Sequence, residues 1–120
     1  MNNRNTIKLN FNRAKQQADR LEEIGNEIKR MANRDYEDTL NGISVAWKGE
    51  NANAYLSKAR VLQNNIAGTG DDLIAVANEI RRKAQRVYNA EMEALKIAEQ
   101  REFFGTFGGG GAGGGGGGGR

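Results

Sequence analysis

Apolar residues in the first third of the chain recur at alternating steps of three and four: Phe11, Ala14, Ala18, Leu21, Gly25, Ile28 and Ala32. That is the spacing of a coiled-coil seam on an α-helix. Ile24 and Met31 widen the stripe, while Arg13, Lys15, Arg20, Glu23, Glu27 and Arg30 occupy the other face. Glu27 stands three residues before Arg30, within reach for a side-chain pair on one helix. The pattern predicts a helix over about 8–40. Asn41-Gly42 follows, and both residue types tolerate the left-handed conformation that ends helices, so a stop is expected there and a bend over about 43–49. A second stripe runs through Ala52, Tyr55, Ala59, Leu62, Ile66, Thr69, Leu73, Val76, Ile80, Lys83, Val87, Ala90 and Ala94, predicting a helix over about 50–102.

Gly68-Thr69-Gly70-Asp71-Asp72 interrupts this second helix chemically, with Thr69 as a candidate N-cap and acids in the turn after it. The stripe nevertheless passes through Ile66, Thr69 and Leu73 without a skipped residue, and two helical glycines cost only about 2 kcal/mol. A continuous but weakened helix is expected. The fold class is therefore all-α, an antiparallel helical hairpin over 1–104. At 1.5 Å per residue the arms measure about 50 and 80 Å. Paired from the bend, residue 8 would lie near residue 86, leaving 87–102, with Val87, Tyr88, Met92, Leu95 and Ile97, to find another surface. Two thin helices enclose little volume, so dimerisation into a four-helix bundle is expected. Its seam, within or between hairpins, is assigned to Phe11, Leu21, Ile28, Tyr55, Leu62, Ile66, Leu73, Val76, Ile80 and Val87.

Composition removes most chemistry. The 120 residues include no cysteine and no histidine, which excludes disulfides, thiolate nucleophiles, imidazole bases and zinc-finger sites. The carboxylate pairs Glu22-Glu23, Glu37-Asp38 and Asp71-Asp72 are adjacent in sequence and point about 100° apart on a helix, not across a cleft. Gly68-Thr69-Gly70 lacks the Gly-Lys-Ser/Thr of a phosphate-binding loop. No catalytic, metal or cofactor residue is assigned, and the chain is read as a non-enzyme.

The net charge of +3 is spread evenly: residues 1–46 carry eight cations and seven anions, residues 47–104 nine and eight. With the signs interspersed there is no basic face, so no nucleic-acid partner is expected. No apolar run approaches the roughly 18 residues of a membrane span, and residues 1–11 lack the apolar core of a secretory signal. Stable membrane insertion and a cleaved leader are both unexpected. The segment 105–120 contains twelve glycines and is expected to be a disordered tail. Phe103, Phe104 and Phe107 precede or enter it, as a helix-end cap or as an aromatic hook.

The single tryptophan lies in the bend, as Trp47-Lys48-Gly49. A large ring can fill the space between helix ends while glycine allows the tight path around it. With that tripeptide central between two amphipathic helices, residues 8–100 resemble the WxG family of small ESAT-like proteins. Trp47 and Gly49 match the family's turn, and Lys48 fills its variable place. The resemblance implies a hairpin that dimerises, with itself or with a related WxG-type or toxin-borne hairpin. It further implies secretion without a cleaved signal peptide, by way of the ATPase and membrane complex of a type VII secretion system. The family's export signal often has a tyrosine followed four residues later by an acid. Here Tyr88 is followed by Met92 with Glu91 and Glu93 on either side, and Tyr88 with Glu91 is the candidate. Two alternatives stand beside it: a heterodimeric adaptor for the targeting region of a larger secreted toxin, and a basic helical scaffold on an anionic membrane surface using Arg81, Arg82, Lys83 and Arg86.

Overall fold

The structure is a computed structural model that describes residues 3–112. It is all-α, with no strand among the described residues. Helix α1 (Arg4–Arg30), a π-helical turn (Met31–Tyr36) and α2 (Glu37–Ala46) follow one another without a break and form the first arm; α3 (Glu50–Ala112) is the second. The arms run antiparallel, as the stripes predict. The described residues divide into two compact units, 14–82 and 3–13 with 83–112.

In the unit of residues 14–82 the contact between arms is built from small residues. Ala18, Gly25 and Ala32, seven apart, are buried on the first arm, and Ala52, Gly70 and Ala77 are buried on α3. Small side chains let two helix backbones approach closely, and here the approach is extreme at one level. A Cβ built on Gly25 would lie 2.7 Å from the Gly70 carbonyl oxygen, and one on Gly70 would lie 2.6 Å from the Gly25 oxygen. Gly70 is thus a contact residue, and α3 runs through Gly68–Gly70 unbroken, as its register implies. Asp71 pairs with Lys29 at 2.8 Å across the arms instead of starting a helix.

The first arm departs from expectation at both ends and in its middle. It starts at Arg4, because the Asn3 Oδ1 accepts the Thr6 N–H at 2.8 Å and caps the first turn. It does not stop at Asn41-Gly42 but continues to Ala46. A helical glycine costs about 1 kcal/mol, less than would be lost by releasing Leu40, which is 4% exposed. Among the described residues only Gly49 has a positive φ, +113°, so the bend shrinks to 47–49. In the middle, a purely α-helical register would carry the seam from Ala32 to Asp35 and Thr39. The π-turn adds one residue to the step, and Tyr36 and Leu40 turn inward while Asp35 and Thr39 stay exposed.

The inward line of α3 also lies beside the expected one. It follows Ala52, Leu56, Ala59, Gln63, Ile66, Gly70, Leu73, Ala77 and Ile80. Ile66, Leu73 and Ile80 belong to the predicted seam, as do the half-buried Leu21 and Ile28 of the first arm. Tyr55, Leu62 and Val76 do not face the partner arm; they are 63%, 52% and 48% exposed.

In the other unit, Ile7 is buried, Phe11 and Tyr88 rings lie 4.6 Å apart, and Arg4 pairs with Glu99 at 3.2 Å. Residues 4–11 therefore pair with 88–99, which corrects the expectation that 87–102 lacks support from its own hairpin. The first arm starts four residues sooner and the bend spends only three residues, so each level pairs further along α3. Val87 is 56% exposed. α3 is assigned as far as Ala112, beyond the expected end near 102; residues 113–120 of the expected disordered tail lie outside the described residues.

Candidate interaction site at the bend and along one face

Trp47 closes the C-terminus of α2, its N–H donating to the Ile43 carbonyl at 2.8 Å. Its extended backbone (φ −127°, ψ 118°) turns the chain out of the helix, and Gly49 turns it back into α3 at a φ that L-side chains avoid. The Trp47 ring stacks on Tyr55, centroids 5.6 Å apart and planes 29° apart. Together with Leu40, Ile43, Leu56 and Ala59 they line an open apolar groove of about 290 Å³. Trp47 remains 44% exposed, so the ring is a wall of the groove and not a plug sealed inside the hairpin.

Ion pairs between the arms in this unit gather on one flank. Arg81 reaches Asp19 and Glu22, each at 2.6 Å; Lys29 meets Asp71; Arg60 meets Glu37 at 2.9 Å. In antiparallel helix pairs, equivalent flanking positions face each other across the same side of the seam. Beside the inward Leu21, Ile28, Ile66, Leu73 and Ile80, the other flank carries Ile24 and Met31 on the first arm and Tyr55, Leu62, Thr69 and Val76 on α3. One face of the 14–82 hairpin is thus ion-paired and the other mostly apolar. The apolar face joins the bend groove through Tyr55.

The groove's first-arm wall depends on the π-turn, and α3 grips that turn at three places. Gln63, 7% exposed, donates its amide to the Ala32 carbonyl at 2.9 Å and to Glu37 Oε1 at 2.8 Å. Tyr36 donates its hydroxyl to the Ala59 carbonyl at 3.0 Å, and Arg60 completes the set through Glu37. The Gln63 amide and then the Arg60 guanidinium hold the Glu37 carboxyl below its ordinary pKa. Asp19 and then Glu22 raise the Arg81 guanidinium further above neutrality. Sequence reasoning missed Gln63 because the larger Leu62 beside it drew the stripe. The signal was the heptad line Leu56, Gln63, Gly70, Ala77, in which Gln63 is the one polar member.

Of the other predicted site residues, Tyr88 belongs to the second unit and packs half-buried against Phe11, with Glu91, also half-buried, less than a turn away. Arg81 and Arg82 of the suggested membrane patch are each engaged by acids, Arg82 by Glu79. No helix among the described residues is long and apolar enough to cross a membrane. No protein-family model, curated protein or solved structure matches the chain.

Proposed function

We propose that this protein is a non-enzymatic, WxG-type substrate of a type VII secretion system that acts through helix–helix binding. The observation that carries the reading is the bend: Trp47-Lys48-Gly49 is the whole connection between the arms, with glycine at the position that requires it. The apolar face that begins beside Trp47 supplies the binding surface. Its occupant is a second copy of the chain, which would bury the two strips against each other as the core of a four-helix bundle. Tyr88 with Glu91 is the candidate contact for the secretion ATPase. The adaptor reading uses the same face with a toxin-borne hairpin as the occupant. The membrane-scaffold reading is disfavoured, because Arg81 and Arg82 already have carboxylate partners.

The test is export in the organism that encodes the chain. Deleting the type VII secretion ATPase should leave the protein in the cytoplasm while its synthesis continues, and replacing Trp47 with alanine in the intact strain should have the same effect. Undiminished release without the ATPase removes the secretion assignment.

A further inference from the structure

The bend groove exists in one rotational setting of α2 only. Residues on an α-helix succeed one another at 3.6 per turn, so a shift of one residue rotates everything beyond it by about 100°. The groove's first-arm wall is Leu40, Ile43 and Trp47. Were the extra residue of the π-turn absorbed into a regular α-helix, those places would pass to Thr39, Gly42 and Ala46. An apolar wall with an indole would become a hydroxyl, a glycine and a methyl group. What keeps the extra residue in place therefore decides where Trp47 projects.

A π-turn is a rare excursion of the helical ladder, often found where function requires a displaced side chain. Here it is spanned by one side chain of the opposite arm. Gln63 Nε2 holds the Ala32 carbonyl inside the turn at 2.9 Å and Glu37 Oε1 just past its end at 2.8 Å. Gln63 sits on the inward line that α3 presents in the 14–82 unit, whose other places are held by aliphatic, alanine or glycine residues, and it is buried. A buried polar residue is costly unless fully bonded, and in helix pairs a lone polar seam residue acts by fixing register. Tyr36 to the Ala59 carbonyl and Arg60 to Glu37 add two ties one turn away.

We propose that Gln63 is the positioning residue for Trp47: by clamping Ala32 and Glu37 it retains the π-turn, which sets the rotation of α2 and so builds the bend groove. This rests on the assignment of the groove as part of the binding surface, but the geometry it claims is measured without an export assay and on the monomer, every protein compared carrying Leu62→Asp and Val76→Asp at exposed positions so that a second copy does not cover Trp47.

Trp47 is the only tryptophan, so fluorescence reports this position alone. Gln63→Leu keeps the volume and removes both donors. Acrylamide quenching of Trp47 should then rise, at most about twofold as the indole goes from 44% exposed toward full exposure, with far-UV circular dichroism still helical. Deleting Asn33, an exposed π-turn residue, supplies the decisive second variant. The deletion converts the turn to an α-helix while leaving Leu40, Ile43 and Trp47 in their present facing, so the clamp becomes unnecessary. Quenching in the Asn33 deletion should match the wild type, and adding Gln63→Leu to it should change nothing. Should Gln63→Leu alone unfold the chain, the double variant must fold. Unchanged quenching in Gln63→Leu overturns the proposal, as does a Gln63→Leu effect of equal size with and without Asn33. Loss of export in variants with normal quenching would bear on the secretion reading and not on this one.

Discussion

Gly68 and Gly70 stand two residues apart in the same helix, and replacing each with alanine should move stability in opposite directions. Alanine in place of a helical glycine contributes about 1 kcal/mol through backbone entropy. At Gly68 nothing lies within 4 Å of the new methyl group, so Gly68→Ala keeps the whole gain. A domain of this size shifts by about 4–8 °C per kcal/mol, which puts the melting temperature about 5 °C higher. At Gly70 the methyl group would stand 2.6 Å from the Gly25 carbonyl oxygen and 2.6 Å from Lys29 Cγ. The lysine chain can swing away, but the carbonyl belongs to the facing backbone and moves only if the arms part. Overpacking costs about 1–3 kcal/mol, and a backbone obstacle belongs at the upper end. After the propensity gain, Gly70→Ala should be destabilised by about 2 kcal/mol, a fall near 10 °C. Gly25→Ala meets the same obstruction from the other arm at 2.7 Å. The double variant should cost less than the sum, since one separation of the arms accommodates both methyl groups. Thermal melts followed by circular dichroism at matched protein concentration, so that association contributes equally, measure all four. A Gly70→Ala protein as stable as Gly68→Ala would refute the close-approach argument.

Gly49→Ala forces an L-residue to φ +113° and should cost about 1–3 kcal/mol in urea titration; an unchanged midpoint would mean that the bend relaxes freely. Glu37 has a folded-state pKa below its unfolded value, so its contribution is complete above about pH 5 and is lost as pH falls through the folded pKa. Urea midpoints at successively lower pH should therefore drop less for Glu37→Gln than for the wild type, and parallel curves would count against the Gln63–Glu37–Arg60 network. Tyr88→Ala should reduce export if Tyr88 and Glu91 contact the secretion machinery. Normal export from that variant, with helicity retained, would reduce Tyr88 to its packing on Phe11.

Residues 11–32 read correctly because Ala18, Gly25 and Ala32 recur at seven and the line meets no competing feature. On α3 the stripe also took in Tyr55, Leu62 and Val76, which are exposed in the single hairpin, because size and hydrophobicity mark a stripe most visibly. Close contact of two backbones selects the opposite property, smallness, and so Gly70 and Ala77, outside the predicted stripe, face inward with the predicted Ala52, Ile66, Leu73 and Ile80, while Tyr55, Leu62 and Val76 lie to the flank. The π-turn was illegible for a different reason. Its register change is set by Gln63, Tyr36 and Arg60, whose partners are 23 to 31 residues distant, and no local periodicity carries that information. Asn41-Gly42 carried a valid stop signal that tertiary packing of Leu40 overrode. The bend was legible in Trp47 and Gly49 because a single tryptophan and the need for a positive φ are both local demands.

The central claim is that the apolar flank of the 14–82 hairpin is covered by a second copy of the chain. Sedimentation equilibrium on the full-length protein, beside a Leu62→Asp/Val76→Asp variant altered only at exposed positions, tests it most directly. The account predicts a dimer for the wild type and a helical monomer for the variant. A wild-type monomer at tens of micromolar, or a variant that dimerises as well as the wild type, would contradict it.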